Sequence, residues 1–520
     1  MEASVGSELN SLSRESAAAC INYITKIHER SVCFFMMKNF FKRIFIIVVF
    51  LALNVNCAHA VTRYEFLSRL LEARGINWSE SQEFQENNPA AFILRTGYVT
   101  DTVTNLSAHV TRREVLRWCI ESLGLSFEAQ LLSDYPLKFK DVKNLTPFER
   151  GCLVVASNMS PEIFTKSDKF RGNENLSSKE FQTILERMRN ASSNLTLDIV
   201  RNPLEGLRVF IHREGVPTGV PAWRVYLDGI KTKTAAQTFQ KSLKPEGINV
   251  SVIASEAAYG VKSEKLEDYN QVRRLETIAK ARGLKIRIMP SMTNTNMRIV
   301  PKFWVMLKID PSYWKILPVT SKNGSKELLK LSEISSQNKT KAAINAGFFA
   351  VTNLTRGYPI GALKINGNLI NQPYDGRACM GWNNDDEASF GVVSGDFSNW
   401  YDMENIIQAG PLLLDEGRTA NSFENFSSSL INPRHPRSAV GLDNEGQWFF
   451  FVIDGRNGLH SSGATISELT DILRSQGVLY ALNLDGGGST EIIINGKVYN
   501  FVSDGRERRI SYGLGVKPVD

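Results

Sequence analysis

The chain has 520 residues, 42% hydrophobic and 22% charged, ordinary fractions for globular protein that exclude wholesale disorder and fibrous repeats. The 61 Lys and Arg against 54 Asp and Glu leave a net charge of +7, too modest at this length to mark a nucleic-acid binder. Six cysteines cannot staple a chain this long, and no CxxC, HExxH, Walker A, EF-hand or GxSxG motif offers zinc-finger, P-loop or serine-hydrolase chemistry.

At about 150 residues per domain, three or four domains are expected. Residues 36–60 read as a secretory signal peptide. Lys38, Lys42 and Arg43 form a basic start, and residues 44–53 form an apolar run too short to span a bilayer. Ala58-His59-Ala60 is a small-x-small cleavage site. Asn54-Val55-Asn56 ahead of Cys57 lacks the small residues of a lipobox. Met36 and Met37 stand where such a signal starts, so residues 1–35 are expected to be an over-extended gene model or a disordered extension. Beyond residue 60 stand Cys119, Cys152 and Cys379, an odd set that cannot pair fully. His109, His212, His435 and His460 are too scattered for a His-rich metal centre.

Residues 61–190 contain three related segments, beginning Val61-Thr62-Arg63, Val110-Thr111-Arg112 and Leu176-Ser177-Ser178. Each sets a Thr or Ser three residues before a Glu, ahead of an apolar helical run. That is a capping box, in which the hydroxyl takes an amide and the carboxylate reaches back. Phe139-Lys140-Asp141-Val142, a helix through Cys152, and Phe170-Arg171-Gly172-Asn173-Glu174 fill the interval. This order resembles the surface-layer homology (SLH) repeat. The resemblance implies a helical envelope-binding region over 61–190, with Thr62, Arg63, Thr111 and Arg112 contacting polymer. Ser177-Ser178 departs from the pattern in the third box.

Residues 205–290 read as a small α/β module. Trp223–Leu227 and 247–253 alternate like strands, and 232–243 and 269–282 have helical periodicity. Strand–helix–strand units of this size build ferredoxin-like domains. The pattern is similar to the sporulation-related (SPOR) repeat, which implies binding to peptidoglycan glycan strands.

Residues 296–520 are rich in short β-runs and glycine, as expected of a mixed α+β domain. Asp454 and Asp485 each end an apolar strand and precede glycine, where a rigid sheet can hold a carboxylate toward a ligand. Asp-Gly is also a common hairpin turn, which suits Asp375-Gly376 and serves equally for Asp454-Gly455 and Asp504-Gly505. Gly486, Gly487 and Gly488 exceed what a turn needs and could turn backbone amides toward an anion, with Ser489 and Thr490 adding hydroxyls. Arg434 and Arg437 flank His435, and Arg456, Arg506, Arg508 and Arg509 add guanidinium forks suited to phosphate. The residues alone point to a carboxylate-plus-arginine site for a phosphorylated or acidic ligand.

The motifs around Asn345 and Gly347, Gly410, Arg434 to Gly441, Asp454 to Arg456, Asn483 to Thr490, and Asp504 to Arg509 resemble, in this order, the phosphodiester glycosidase domain family. The resemblance covers about 296–520. It implies hydrolysis of a sugar-1-phosphodiester, such as a GlcNAc-1-phosphodiester, at the glycosidic C–O bond. Glu491 departs from it, standing where a second small hydroxyl residue is common. On this reading Asp485 is the base or nucleophile at the anomeric carbon, Asp454 the second carboxylate, and His435 a donor to the departing phosphate. Arg437 and Arg434 hold the phosphate. Asn345, Gly347, Gly410, Arg456, Asn483, Gly486, Gly487, Gly488, Ser489, Thr490, Asp504 and Arg506 complete the substrate site. No cofactor is expected, and no ligand spacing supports a divalent cation. The whole reads as an exported cell-envelope hydrolase whose partner is an envelope glycan or peptidoglycan-linked polymer, with no nucleic acid, and with membrane contact only through the signal peptide. The alternative is a non-catalytic polymer-binding or structural surface protein.

Overall fold

The computed structural model describes residues 60–519 except 165–167, 256–257, 294–299, 353–354, 384–386, 396 and 421–423. The expected extension and signal peptide lie outside the described residues, apart from Ala60. Among the described residues no helix is long and apolar enough to cross a membrane.

The three expected boxes cap the helices Arg63–Arg74, Arg112–Ser122 and Ser178–Asn194. In each, the hydroxyl accepts from the third amide while the Glu carboxylate accepts from the cap's own amide. A fourth box, Thr146 with Glu149, opens the helix Pro147–Asn158. The segments ahead of the three helices close a ring. Val110 N–H donates to Val61 O (2.9 Å), Leu176 N–H to Val110 O (2.9 Å), and Val61 N–H to Leu176 O (3.4 Å). The arginines follow the same cycle. Arg63 pairs with Glu114 of the second box at 2.7 Å, and Arg112 pairs with Glu180 of the third. Arg112 also lies over the rings of Phe164 and Phe170. Ser178 occupies the place of the third arginine.

The C-terminal region is organised on a nine-stranded sheet and two five-stranded sheets. The large sheet runs Met159–Ser160, Thr196–Leu204, Leu207–Glu214, Lys302–Ile309, Trp448–Ile453, Arg437–Leu442, Tyr480–Asn483, Leu412–Asp415, Arg418–Thr419. Trp448–Ile453 is buried throughout. Trp448, Phe450 and Val452 enter the main core, while Phe449, Phe451 and Ile453 pack in a second core with Leu469 and Leu473 of helix Ile466–Ser475. A strand covered on both faces reads as an unbroken apolar run and holds its ends rigidly. One five-stranded sheet contributes Ala342–Asn345, between Ile492–Ile494 and Tyr512–Pro518.

Two domain expectations change. Leu207–Glu214, assigned by sequence to the small module, instead pairs antiparallel with Lys302–Ile309 from Leu207 opposite Ile309 to Glu214 opposite Lys302. Its alternate side chains Leu207, Val209, Ile211 and Arg213 are buried against the large sheet's core, so it belongs with the C-terminal domain. The helical region, expected as a separate attachment unit, shares one continuous core with that domain. The cluster runs from Phe66 and Leu116 through Leu197 and Val209 to Val305 and Phe450.

The small module is strand–helix–strand–strand–helix–strand, from Val220–Ile230 to Lys285–Thr293. Its antiparallel sheet places the second, third, first and fourth of its strands side by side. It has its own core around Trp223, Val225, Phe239 and Leu275. Cys119, Cys152 and Cys379 are unpaired and buried.

Candidate active site

A cavity of about 340 Å³ opens where Arg437–Leu442 begins and Tyr480–Asn483 ends. His435, Arg437, Arg456, Asn483, Asp485 and Arg508 line it, with the glycines 486–488 forming one wall. Asp485 is the sole carboxylate of this lining among the described residues. Its backbone is pinned on both sides. The Asp485 amide donates to Ala346 O (2.9 Å) and its carbonyl accepts from Asn345 Nδ2 (2.6 Å). Burial pushes the Asp485 carboxyl up to about 6, against the opposing pull of the Ser489 hydroxyl, the Arg508 guanidinium and the Gly486 amide.

Three guanidinium groups line the same cavity. Arg437 is almost fully buried, and burial together with Arg456 pulls its pKa down to about 10, which leaves it charged at neutral pH. Its Nε donates to Ala464 O (3.0 Å) and its Nη2 to Leu430 O (2.6 Å) and Pro433 O (3.0 Å). Nη1 has no protein partner among the described residues and is left for a ligand. Arg508 is held from behind by Asp504 Oδ2, 2.9 Å from Nε and 2.8 Å from Nη2. Arg456 adopts φ 60°, a left-handed conformation that side chains rarely take, and lies over Gly487, where a Cβ would stand 2.9 Å from its Nη2.

The glycine run therefore makes room for arginines more than it presents amides. A Cβ at Gly488 would meet Arg508 Nη2 at 2.0 Å. The Gly487 amide donates to Pro436 O (2.9 Å), the Gly486 amide is drawn to Asp485, and Ser489 and Thr490 close a short 3-10 turn. The expected three-amide cradle is thus largely spent on the protein itself.

Asn483 offers an unused acceptor to the cavity. Its Nδ2 donates to Gly410 O (2.7 Å) and Leu484 O (2.9 Å), while its buried Oδ1 has no partner. A buried acceptor left without a donor is costly unless a ligand hydroxyl supplies one. Asn345, expected in the substrate site, lies outside the cavity lining. Its Oδ1 accepts from Ser438 Oγ (2.7 Å) and Glu491 N (3.1 Å), joining three segments behind Asp485. Gly347 and Gly410 lie outside the cavity lining and serve close packing. A Cβ at Gly347 would strike Tyr512 Oη at 2.1 Å, and one at Gly410 would strike Glu424 Oε1 at 2.3 Å.

Other expected site residues stand elsewhere. Asp454 is fully buried and absent from the lining. Its carboxylate accepts from His460 Nε2 (2.8 Å), Asn500 Nδ2 (3.0 Å) and the Phe501 amide (2.7 Å), so it cannot meet a substrate. Arg434 is committed to Glu468, with Nε–Oε2 at 3.0 Å and Nη2–Oε1 at 2.8 Å, and is also absent from the lining. Arg506 faces a neighbouring cavity, and Asp504 acts through Arg508. Thr490 is buried behind the site, with its Oγ1 unpartnered. His435 lines the cavity with Nε2 3.3 Å from Ser429 O. Burial first, and then Arg437 and Arg456, lower its pKa, so it is neutral at pH 7 with Nε2–H turned to the carbonyl. That leaves it an acceptor at Nδ1 rather than the expected proton donor. Glu491 is buried behind the strand Ile492–Ile494 and shares a proton with Glu507, because burial and that neighbour push its carboxyl up to about 10. Arg508, one of the guanidinium forks in the sequence but without an assigned place in the substrate site, joins the cavity lining. Its place four residues after Asp504, a spacing that lets a carboxylate steady a guanidinium, is the signal that marks it.

Comparison with known proteins finds likenesses for this region. Residues 338–517 match the phosphodiester glycosidase family. A segment of 90 residues, 17% of the chain, is 39% identical to N-acetylglucosamine-1-phosphodiester alpha-N-acetylglucosaminidase of Mus musculus. A segment of the same length is 38% identical to the SPbeta prophage-derived uncharacterized protein YomE of Bacillus subtilis (strain 168). The chain spans only 16% and 14% of those two proteins' lengths. Among solved structures, the catalytic domain of the zebrafish N-acetylglucosamine-1-phosphodiester alpha-N-acetylglucosaminidase, auto-inhibited by its pro-peptide, aligns at 20% identity and TM-score 0.36 over 52% of this chain and 81% of that one. Cys379, Arg437, Asp485 and Arg508 all fall inside the matched residues 338–517.

Among the described residues no group of three or more His, Cys, Asp or Glu is placed to hold a metal ion.

Proposed function

We propose that the protein hydrolyses sugar-1-phosphodiesters at the glycosidic C–O bond. The observation that carries this reading is a single carboxylate, Asp485, in one cavity with Arg437, Arg456 and Arg508. An ordinary glycosidase needs two carboxylates because its alcohol leaving group must be protonated. A phosphomonoester is already a stable anion and needs charge stabilisation instead. Arg437 through Nη1, Arg456 and Arg508 hold the phosphate and take up the charge that develops as the C–O bond breaks. Asp485 acts at the anomeric carbon, as base for water or as nucleophile, and Asn483 Oδ1 accepts a sugar hydroxyl. Turnover then rises with pH as Asp485 deprotonates near 6.

The same reading places the protein outside the cell, with the helical region 61–190 and the ferredoxin-like module holding it against an envelope glycan or peptidoglycan-linked polymer. The basis is the signal-like segment and the resemblance of the Thr62 and Thr111 boxes to SLH repeats.

The test is turnover by the full chain on α- and β-linked sugar-1-phosphodiesters. Free sugar and phosphomonoester are expected in equal amounts, and neither from Asp485→Asn. Release by Asp485→Asn at the wild-type rate overturns the assignment. Binding of the sugar phosphates with no release by the wild type identifies a binding module instead.

A further inference from the structure

Beside the active site, a second cavity of about 390 Å³ lies between the small module's sheet and the loop 503–506. Tyr226, Ile253, Met289 and Pro290 form its apolar walls. Arg224, Lys265, Arg287, Arg456 and Arg506 face it against one carboxylate, Asp504, which is already engaged by Arg508. Arg287 is itself paired with Asp228 at 3.1 Å and donates through Nη1 to Asp504 O (2.8 Å), tying the small module to the catalytic loop. Arg224, Lys265, Arg456 and Arg506 have no carboxylate partner among the described residues, and Arg224 Nε is buried without a hydrogen bond. Four uncompensated cations converging on one concave surface focus a positive field suited to a polyanion. Arg456 lines both cavities, so the two sites are neighbours along one path.

We propose that this second cavity binds a further phosphate on the aglycone side of the substrate, one repeat beyond the bond that is cleaved. The proposal rests on the hydrolase reading above and narrows it: the substrate is a chain of sugars joined through phosphates, rather than a single capped sugar phosphate. The space exceeds one phosphate group, and its apolar walls suit the ring of the intervening sugar. Arg456, held between the cavities in its left-handed conformation, sets the spacing between the two phosphates.

The experiment compares the full-length wild type with Arg224→Gln/Lys265→Gln, neither residue being part of the catalytic cavity. Two substrates are used: a sugar-1-phosphodiester with a methyl aglycone, and the same compound carrying a second phosphodiester on its aglycone. The wild type is expected to show a KM about tenfold lower for the second compound. The double variant loses that advantage and keeps the wild-type KM for the first. No preference in the wild type, as when free inorganic phosphate is the true occupant, overturns the proposal, as does an equal loss on both compounds. Should the double variant not fold, the exposed Lys265→Glu alone gives the same reading. Calorimetry with inorganic tripolyphosphate separates this proposal from the hydrolase reading. If neither compound is turned over, the hydrolase reading fails, and the cavity is still decided by whether Arg224→Gln/Lys265→Gln weakens tripolyphosphate binding about tenfold or leaves it unchanged.

Discussion

His460 of the C-terminal domain lies 3.1 Å from Glu128 of the helical region, with the two side chains 3% and 0% exposed. The contact continues in both directions. His460 Nε2 meets Asp454 at 2.8 Å, and Glu128 meets Arg213 at 3.0 Å. Two buried basic side chains and two buried carboxyl groups alternate in one line that joins the helical region, the hairpin strand Leu207–Glu214 and the loop after Trp448–Ile453. Asp454 is explained by this line: it anchors the fold beside the site.

Glu128→Gln should therefore cost about 3–5 kcal/mol, because Arg213 and His460 are left buried with one neutral neighbour. Denaturant unfolding measures it, and a loss under about 1 kcal/mol contradicts the account. Burial alone lowers the His460 pKa, but Glu128 and Asp454 together raise it. A raised folded pKa gives stability that is complete below about 6.5 and is lost as pH rises through the folded value. Glu128→Gln should flatten that dependence.

A fragment of residues 296–520 should not fold. It leaves Lys302–Ile309 without its partner Leu207–Glu214 and His460 without Glu128. An unpaired apolar strand is an aggregation site. Insolubility, or loss of near-ultraviolet circular dichroism, is the expected result, and a cooperative unfolding transition refutes it.

Much of this was legible in the sequence, and the failures share a cause. Capping boxes at Thr62, Thr111 and Ser177 are local, so three-residue spacing reveals them. The glycine run after Asp485, longer than a turn requires, is likewise local, and the residue lines the cavity. Asp454 and Arg434 mislead because a strand-end Asp-Gly and an arginine beside a histidine look the same whether they face a ligand or a neighbour. Their partners, His460 with Asn500 and Glu468, are fixed only by the tertiary fold. The continuity of the core between the helical region and the C-terminal domain is equally invisible, since it depends on which edge the hairpin of residues 196–214 joins.

The contrast between two arginines tests the corrected site. Arg434→Ala removes an exposed pair with Glu468 and should cost at most about 1 kcal/mol, with kcat/KM unchanged. Arg508→Ala should lower kcat about 10²–10³-fold, the scale of losing one preorganised donor at developing charge. Equal effects of the two substitutions on steady-state kinetics contradict the placement.

Glu491→Gln should stabilise the protein at alkaline pH. The folded carboxyl, pushed up to about 10 by burial and Glu507, keeps a proton that the unfolded chain releases above about 4.3. Stability from this group therefore falls as pH rises between those values. The melting temperatures of Glu491→Gln and wild type should converge near pH 4 and separate by pH 8, with the variant higher. A variant that melts lower at pH 8 removes the shared-proton assignment.

On the proposed reading, water attacks carbon rather than phosphorus. Turnover of a sugar-1-phosphodiester by the full chain in ¹⁸O-labelled water, read by mass spectrometry of the phosphomonoester product, tests it directly. The expected product is a phosphomonoester free of label, with free sugar beside it. Label in the phosphate, or sugar-1-phosphate among the products, contradicts it.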